Sequence, residues 1–324
     1  MLADDGKGGL NRRELAWRGQ RATTGRDAAL RGDQALPPGF HRRDMLHAAL
    51  GLAALKLTGG RANAAEDREG GNAMAKDIVM IHGANEGGWC FDKFGAVFRS
   101  LGWTCHAPDL IGHGTRSADA AKTLIGVGMA DYRAELEAFL RTLPPQPLIL
   151  GHSMGGVLAQ QLAARGLARA LILAAPAPRS GILPPTGAEK QLDQDLMGLG
   201  AFWKSVINPD FALARIYTLN RVPEAEQRAV FDRFGPESGR AFFELFFWMF
   251  DRSGATVVDT AAVKCPVLCM VGADDKIVSP QTARETAAGY PGATFWQLEG
   301  HGHMLLLEPG AEDIARRIAA WIPG

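Results

Sequence analysis

Cysteine is scarce in this chain, four residues in 324, which excludes a disulfide scaffold and a cysteine-built zinc site. Cys265 and Cys269 fall on one predicted strand, on the same face but too far apart along it to bond. Cys90 and Cys105 can pair only if the fold brings them together, so four free, buried thiols are expected. Net charge is also missing: 35 basic residues balance 35 acidic ones, and nothing recruits nucleic acid or another polyanion. Neither G-x-G-x-x-G nor G-x-x-x-x-G-K-[ST] occurs, so the usual phosphate cradles of nucleotide-binding proteins are absent. Internal repeats and low-complexity tracts are absent too. What is present is 47% hydrophobic residues, enough for an α/β protein with a large core.

The first seventy residues differ from the rest. Residues 1–40 are rich in Arg, Gly, Asp and Ala without a sustained apolar period, and read as disordered. His41-Arg42-Arg43-Asp44-Met45-Leu46 then leads into the apolar run 48–55, and Ala62-Asn63-Ala64 offers a small-x-small cleavage pattern. That order describes an export signal over residues 1–64, and Arg-Arg-x-Met-Leu is similar to the twin-arginine signal peptide. The expected destination is the periplasm or the exterior, or the cytoplasm if the segment is not a working signal. The apolar run is too short to span a bilayer, so no stable membrane anchor is expected. Residues 65–74 read as a linker.

From about residue 75, apolar strands alternate with helical patterns. Strands are predicted at Asp77–His82, around Thr104–Ala107, at Leu148–His152 and at Ala170–Ala174. Such alternation means a mostly parallel sheet with helices on both faces. Between residues 179 and 263 the alternation stops, and helical patterns separated by Pro184-Pro185, Asn208-Pro209 and Gly235-Pro236 take over. We read this segment as a helical cap inserted into the sheet domain, which comprises 75–178 and 264–324. No convincing strand is predicted within the cap. Its run Ala241–Phe250 is apolar nearly all round and must be covered on every side. One face is expected to line an apolar pocket, for which Trp89, Phe243 and Phe247 are the candidate residues. Cap core and a dimer surface are the alternative uses of those aromatics, and the oligomeric state is left open. Strands resume at Pro266–Val271 and Thr294–Leu298, and a helix from about Ala311 to Trp321 closes the chain.

The stretch that organises this pattern is Leu148-Ile149-Leu150-Gly151-His152-Ser153-Met154-Gly155-Gly156. A strand, Gly-x-Ser-x-Gly and a helix are the setting of a nucleophile elbow. The turn lifts the Ser153 hydroxyl clear of the sheet, and side chains at Gly151 and Gly155 would collide with neighbouring elements. A serine hydroxyl needs a base, and the base needs a partner that fixes its tautomer. Acid and histidine should follow later strands in that order. Asp274 and Asp275 follow one strand, and His301 and His303 follow the next. An oxyanion needs N–H donors already aimed at it, and Met154, the residue after the nucleophile, supplies one.

From Asp77 to the C-terminus these motifs resemble the α/β-hydrolase superfamily. The family's acid sits in Gly-x-x-Asp-x-[Ile/Val], which Gly272-Ala273-Asp274-Asp275-Lys276-Ile277 matches with Asp275. Its histidine follows a glycine and precedes Glu-Pro by a few residues, which selects His303 from Gly302-His303 through Glu308-Pro309. The family's His-Gly turn makes Ala84 the second oxyanion donor, with His82 bracing the turn. Asp109, His106, His113 and His152 are expected to fix loops. The run His82–Cys90 is similar to the plant methyl esterase and hydroxynitrile lyase branch, a likeness confined to one loop. Serine at the elbow speaks against haloalkane dehalogenases and epoxide hydrolases, which use Asp there.

The resemblance implies an α/β-hydrolase fold and a serine hydrolase for a small or medium apolar ester, with no cofactor and no metal. Lactone, thioester, carbon–carbon bond and perhydrolase chemistry use the same triad. A non-catalytic ligand-binding role is the reading from another class.

Overall fold

The computed structural model describes residues 76–322. The expected export signal, residues 1–64, and the expected linker, residues 65–74, lie outside the described residues. Six strands form one sheet: β1 (Asp77–Ile81), β2 (Thr104–His106), β3 (Leu148–His152), β4 (Ala170–Ala174), β7 (Val267–Gly272) and β8 (Thr294–Leu298). Their spatial order is β2-β1-β3-β4-β7-β8, and every neighbouring pair is parallel. The four inner strands are buried on both faces, which is why they read as unbroken apolar runs rather than as alternating ones. Alternation survives in the direction each side chain takes. Val79, Ile81, Ile149, Leu171 and Leu173 enter one core, and Ile78, Met80, Leu150, Ile172 and Met270 enter the other.

Helices α1 (Asp92–Ser100) and α10 (Ala311–Trp321) cover the second core through Phe94, Phe98, Ile314 and Ile318. A short α2 (Ala120–Thr123), then α3 (Met129–Leu140), α4 (Met154–Ala163) and α9 (Pro280–Ala288) lie on the first. Chain order reverses between β1 and β3, since β2 lies on the far side of β1. Loops leaving the carboxyl ends of strands at such a switch point open a crevice. The residues after β1 and after β3 meet there.

Between β4 and β7 run α5 (Gly187–Gly198), β5 (Val206–Ile207), α6 (Phe211–Tyr217), α7 (Glu224–Phe231), β6 (Glu237–Ser238) and α8 (Gly239–Phe246). The segment is mainly helical, with one difference from the sequence expectation: β5 and β6 form an antiparallel pair. Two residues per strand are too few for any period to show. The aromatic helix is also shorter than its apolar run. Turn bonds from Phe250 N–H to Phe247 O and from Asp251 N–H to Trp248 O replace the helical ladder beyond Phe246. Nor is α8 greasy all round. Its buried Glu244 accepts from the Met129 N–H at the start of α3 and from Arg240.

Cysteine placement departs from expectation as well. Cys265 precedes β7 instead of lying on it, and Cys105 and Cys265 are only half-buried, although all four thiols are free. Among the described residues no helix is long and apolar enough to cross a membrane.

Buried carboxylates join the inserted helices to the sheet domain. Glu237, on β6, accepts from Tyr132 Oη at 2.7 Å and faces His113 Nε2 at 2.9 Å, and its side chain and that of His113 are 0% exposed. The second nitrogen of His113 faces the Ile111 carbonyl at 2.9 Å. Burial opposes charge on both groups, but mutual attraction prevails, raising the His113 pKa and lowering that of Glu237. Removing one partner leaves a charge stranded in a dry site. His113→Leu should therefore lower the unfolding free energy by about 3–5 kcal/mol in urea titrations near neutral pH. The Glu237 contribution is present above its unfolded pKa, ~4.3, and is lost as pH falls through its lower folded value. The His113 contribution is present below ~6.5 and is lost as pH rises through its raised folded value. The difference between wild type and variant should thus narrow at both ends of the pH range.

Candidate active site

Ser153 stands between β3 and α4 with φ 51° and ψ −120°, a backbone that non-glycine residues adopt only when their surroundings enforce it. The enforcement is visible. Its N–H donates to Ala174 O at 3.1 Å, and its carbonyl accepts from Gly156 and Ala177 N–H at 2.8 and 2.9 Å. A β-carbon on Gly151 would strike the Gly155 carbonyl and the Ala159 methyl. One on Gly155 would strike the carbonyl oxygens of Ile81 and His82. Both glycines are therefore required by close approach, the first against the following helix and the second against the end of β1.

The two candidate acids separate cleanly. Asp275, which follows β7 and is 7% exposed, places Oδ2 2.9 Å from His303 Nδ1. Its other oxygen accepts from the Ile277 and Val278 N–H groups at 2.8 and 2.9 Å. Asp274 points outward to an ion pair with Arg221. The histidines separate in the same way. His303 is 3% exposed and shares a cleft with Ser153, whereas His301 turns to Glu308 at 3.1 Å. An Nδ1–H donated to Asp275 leaves Nε2 of His303 as the basic nitrogen, the tautomer a general base needs.

Met154 is the first residue of α4, where a helix N–H has no acceptor within its own helix. Ala84 lines the cleft, and its N–H donates to no acceptor among the described residues. The turn that carries Ala84 is braced by His82, whose Nε2 accepts from the Leu110 N–H at 3.0 Å while Nδ1 contacts Gly83 O at 2.8 Å. Burial and the neighbouring His113 hold the His82 pKa down at about 4, so the ring is neutral at physiological pH. His106, at the end of β2, pairs with Asp77 at the start of β1 and so ties two strands rather than a loop. Asp109 accepts from Gly88 and Thr115 and does tie loops, and neither residue lines the cleft.

The cleft holds about 870 Å³ of empty space, its open mouth included, and contains Ser153, His303 and Ala84. Its apolar wall comes from Leu192 and Leu196 of α5, Leu213 of α6, Phe234, Ile277, and Phe242, Leu245 and Phe246 of α8. The expected pocket residues Phe243, Phe247 and Trp89 are not in that wall. The helix is rotated about one position from the sequence expectation. Phe243 and Phe247 stack on each other and pack on Phe202, and Trp203 packs on Phe243. Trp89 packs on Phe234 under the Arg233 guanidinium. Arg240 and Glu244, one turn apart, mark the side of α8 opposite the cleft. With aromatics at consecutive positions, however, the packing partners decide the edges of the apolar face.

One residue at the site went unread in the sequence. Glu86 lies in the Gly-rich loop after β1 and lines the cleft, 3% exposed. Its Oε2 accepts from the Gly83 N–H at 2.9 Å and meets His152 Nδ1 at 3.1 Å. A carboxylate in a polar, glycine-rich loop reads by default as a solvated residue. The sole signal was that it shares the loop with the predicted oxyanion turn. Among the described residues no group of His, Cys, Asp and Glu could hold a metal ion.

Comparison with known proteins agrees with this fold. The alpha/beta hydrolase family matches residues 78–316. A pyrethroid hydrolase of Sphingobium wenxiniae is 36% identical over 87 residues, 27% of this chain and 30% of that protein. A probable esterase of Oryza sativa subsp. japonica is 26% identical over 275 residues, 76% of this chain and 97% of that one. The chain spans 30% of the pyrethroid hydrolase and 33% of the pFDCC methylesterase of Arabidopsis thaliana, about a third of each relative's length. A solved methylesterase from Arabidopsis superposes with a TM-score of 0.58 at 18% identity, over 76% of this chain and 99% of that one, a likeness of fold alone. A family match of this extent, on a parallel sheet with a strained serine at its switch point, leads to one conclusion: the chain belongs to the alpha/beta hydrolase family.

Proposed function

We propose that this protein is a serine hydrolase that cleaves small or medium apolar carboxylic esters through an acyl-enzyme. The observation that carries the reading is the convergence of a strained Ser153 and an Asp275-held His303 on one largely apolar cleft. His303 Nε2 takes the proton as Ser153 Oγ attacks the ester carbonyl. Asp275 keeps Nδ1 protonated and stabilises the imidazolium that forms. The Ala84 and Met154 N–H groups hold the oxyanion. When the tetrahedral intermediate collapses, the C–O bond to the alcohol breaks and His303 returns the proton to the leaving oxygen. A water then attacks the acyl-enzyme with His303 as base, releasing the acid and restoring Ser153. No metal or cofactor takes part in these steps.

The apolar wall supports a hydrophobic acyl or alcohol group, and ester-cleaving names among the relatives support the bond type. A second reading, the same triad acting on a lactone, a thioester or a β-diketone, draws on Tyr217 and Thr218. These add polar groups to the cleft beyond the oxyanion donors.

Chromogenic esters of graded acyl length should be hydrolysed by the wild type, and Ser153→Ala should lower kcat by about 10⁴-fold or more. Undiminished turnover in that variant would refute the nucleophile. A protein that leaves every ester intact but opens lactones or cleaves β-diketones would establish the second reading.

The two aspartates give a sharper contrast. Asp275→Asn should lower kcat by about 10⁴-fold by spoiling the tautomer of His303. Asp274→Asn breaks only an exposed ion pair and should stay within about twofold of wild type. The cleft wall is testable in the same series. Phe246→Ala should move the preferred acyl chain to greater length, whereas Phe247→Ala, behind the wall, should leave the preference in place.

A further inference from the structure

Beside the triad lies a charge pair that the ester mechanism leaves unused. Glu86 sits in the loop after β1, and His152 ends β3 immediately before the nucleophile, with side chains 3% and 0% exposed. One oxygen, Glu86 Oε2, accepts from the Gly83 N–H at 2.9 Å and faces His152 Nδ1 at 3.1 Å. The other ring nitrogen, Nε2, faces the main-chain carbonyl of His303 at 3.0 Å. Both neighbours of the ring are acceptors. A neutral imidazole has one N–H and would aim a lone pair at one of them. Two N–H groups satisfy both, which is the arrangement that suits an imidazolium with Glu86 as its counter-ion. Burial opposes charge on each, yet their attraction prevails, lowering the Glu86 pKa to about 2 and raising that of His152.

We propose that the Glu86–His152 ion pair is a positioning device for the triad, which aligns the oxyanion turn and the base-bearing loop with the nucleophile only while His152 is charged. The inference rests on the reading of Ser153 and His303 given above. Gly83 directly precedes Ala84, so anchoring its N–H on Glu86 orients the peptide that carries the oxyanion donor. His152 directly precedes Ser153, and its ring grips the main chain of the proposed base itself. The two imidazole rings lie 4.9 Å apart between centroids. One ion pair thus links the loop after β1, the end of β3 and the loop after β8. The other titratable groups facing it are His82, His113 and the Cys90 thiol beside Glu86, and Asp275 and His303 beside His152.

Glu86→Gln keeps the side chain's shape and removes its charge, which takes away the support for the second proton on His152. One of the two ties must then be dropped. Misplacement on the scale of 1 Å costs about 100-fold in rate, so kcat should fall by that order while KM changes little. Glu86→Asp, which retains the charge at shorter reach, should recover part of the loss. A merely structural pair would lower thermal stability and leave kcat unmoved. Heteronuclear NMR of the imidazole nitrogens, assigned with His152→Gln, reads the charge directly in the full chain. Both nitrogens of His152 should be protonated near neutral pH in the wild type, and one should lose its proton in Glu86→Gln.

An unprotonated nitrogen in wild-type His152, or wild-type kcat in Glu86→Gln, would overturn the proposal. If Glu86→Gln does not fold, the wild-type spectrum decides the charge and the kcat of Glu86→Asp decides the positioning. For the latter, a kcat equal to wild type overturns the proposal and a lowered kcat at unchanged KM supports it. Ser153→Ala assayed in parallel separates the two readings. Full turnover in that variant would defeat the ester mechanism, while the spectrum of His152 would still report on the pair.

Discussion

A serine held at φ 51° costs on the order of 1–3 kcal/mol and persists only where its surroundings over-determine it. Much of the architecture around Ser153 meets that requirement. Three main-chain hydrogen bonds fix its peptide groups, two glycines let α4 and the end of β1 approach without side chains between them, and β3 lies in the middle of a six-stranded sheet. The reward for the strain is geometric. Ser153 reaches the cleft at the switch point, and the first residue of α4 follows it directly in the chain. Relaxing the turn would move the proposed nucleophile and the proposed oxyanion donor together, because they are adjacent residues.

Four of the buried glutamates follow one rule. Glu86, Glu189, Glu237 and Glu244 are all buried, and each accepts hydrogen bonds from groups on a different element. Glu189 of α5 accepts from Ser279 N–H and Thr282 Oγ1 at the start of α9, as Glu237 does from Tyr132 and Glu244 from Met129. Three of the four therefore join the inserted segment to the sheet domain. An apolar contact tolerates sliding, whereas a desolvated carboxylate penalises any displacement that strips it of a partner. This suits a cleft whose wall comes from the insertion and whose reacting groups come from the sheet. Its shape depends on holding the two in register.

The sheet and the order of the proposed catalytic positions along it were legible because their signals are local. Unbroken apolar runs such as Leu148–Leu150 and Ala170–Ala174 mark strands buried on both faces, and Gly-x-Ser-x-Gly marks the elbow. The terminal helix at Ala311–Trp321 and the strand at Thr294–Leu298 were readable to the residue. Asp275 and His303 were harder, since each has a chemically identical neighbour one or two positions away. Spacing placed both candidates on the right loop, and family resemblance selected between them. In the structure the separation is plain, for Asp274 meets Arg221 and His301 meets Glu308 while the other two meet each other.

The cleft wall and the buried pair were not legible, for two physical reasons. Aromatics at Phe242, Phe243, Phe246 and Phe247 cover most of the circumference of α8, and Phe202 packs on Phe243 and Phe247, the two that reading had assigned to the pocket. Glu86 lies in a polar loop where sequence favours exposure, and only the approach of His152, 66 positions away, makes its burial tolerable. By itself the sequence determined the strand and helix pattern, the elbow and the order of nucleophile, acid and base, because periodicity and turn chemistry act within a few residues. Tertiary structure alone decided which aromatics face the cleft and which charges are buried, because both depend on partners that the chain brings together only when it folds.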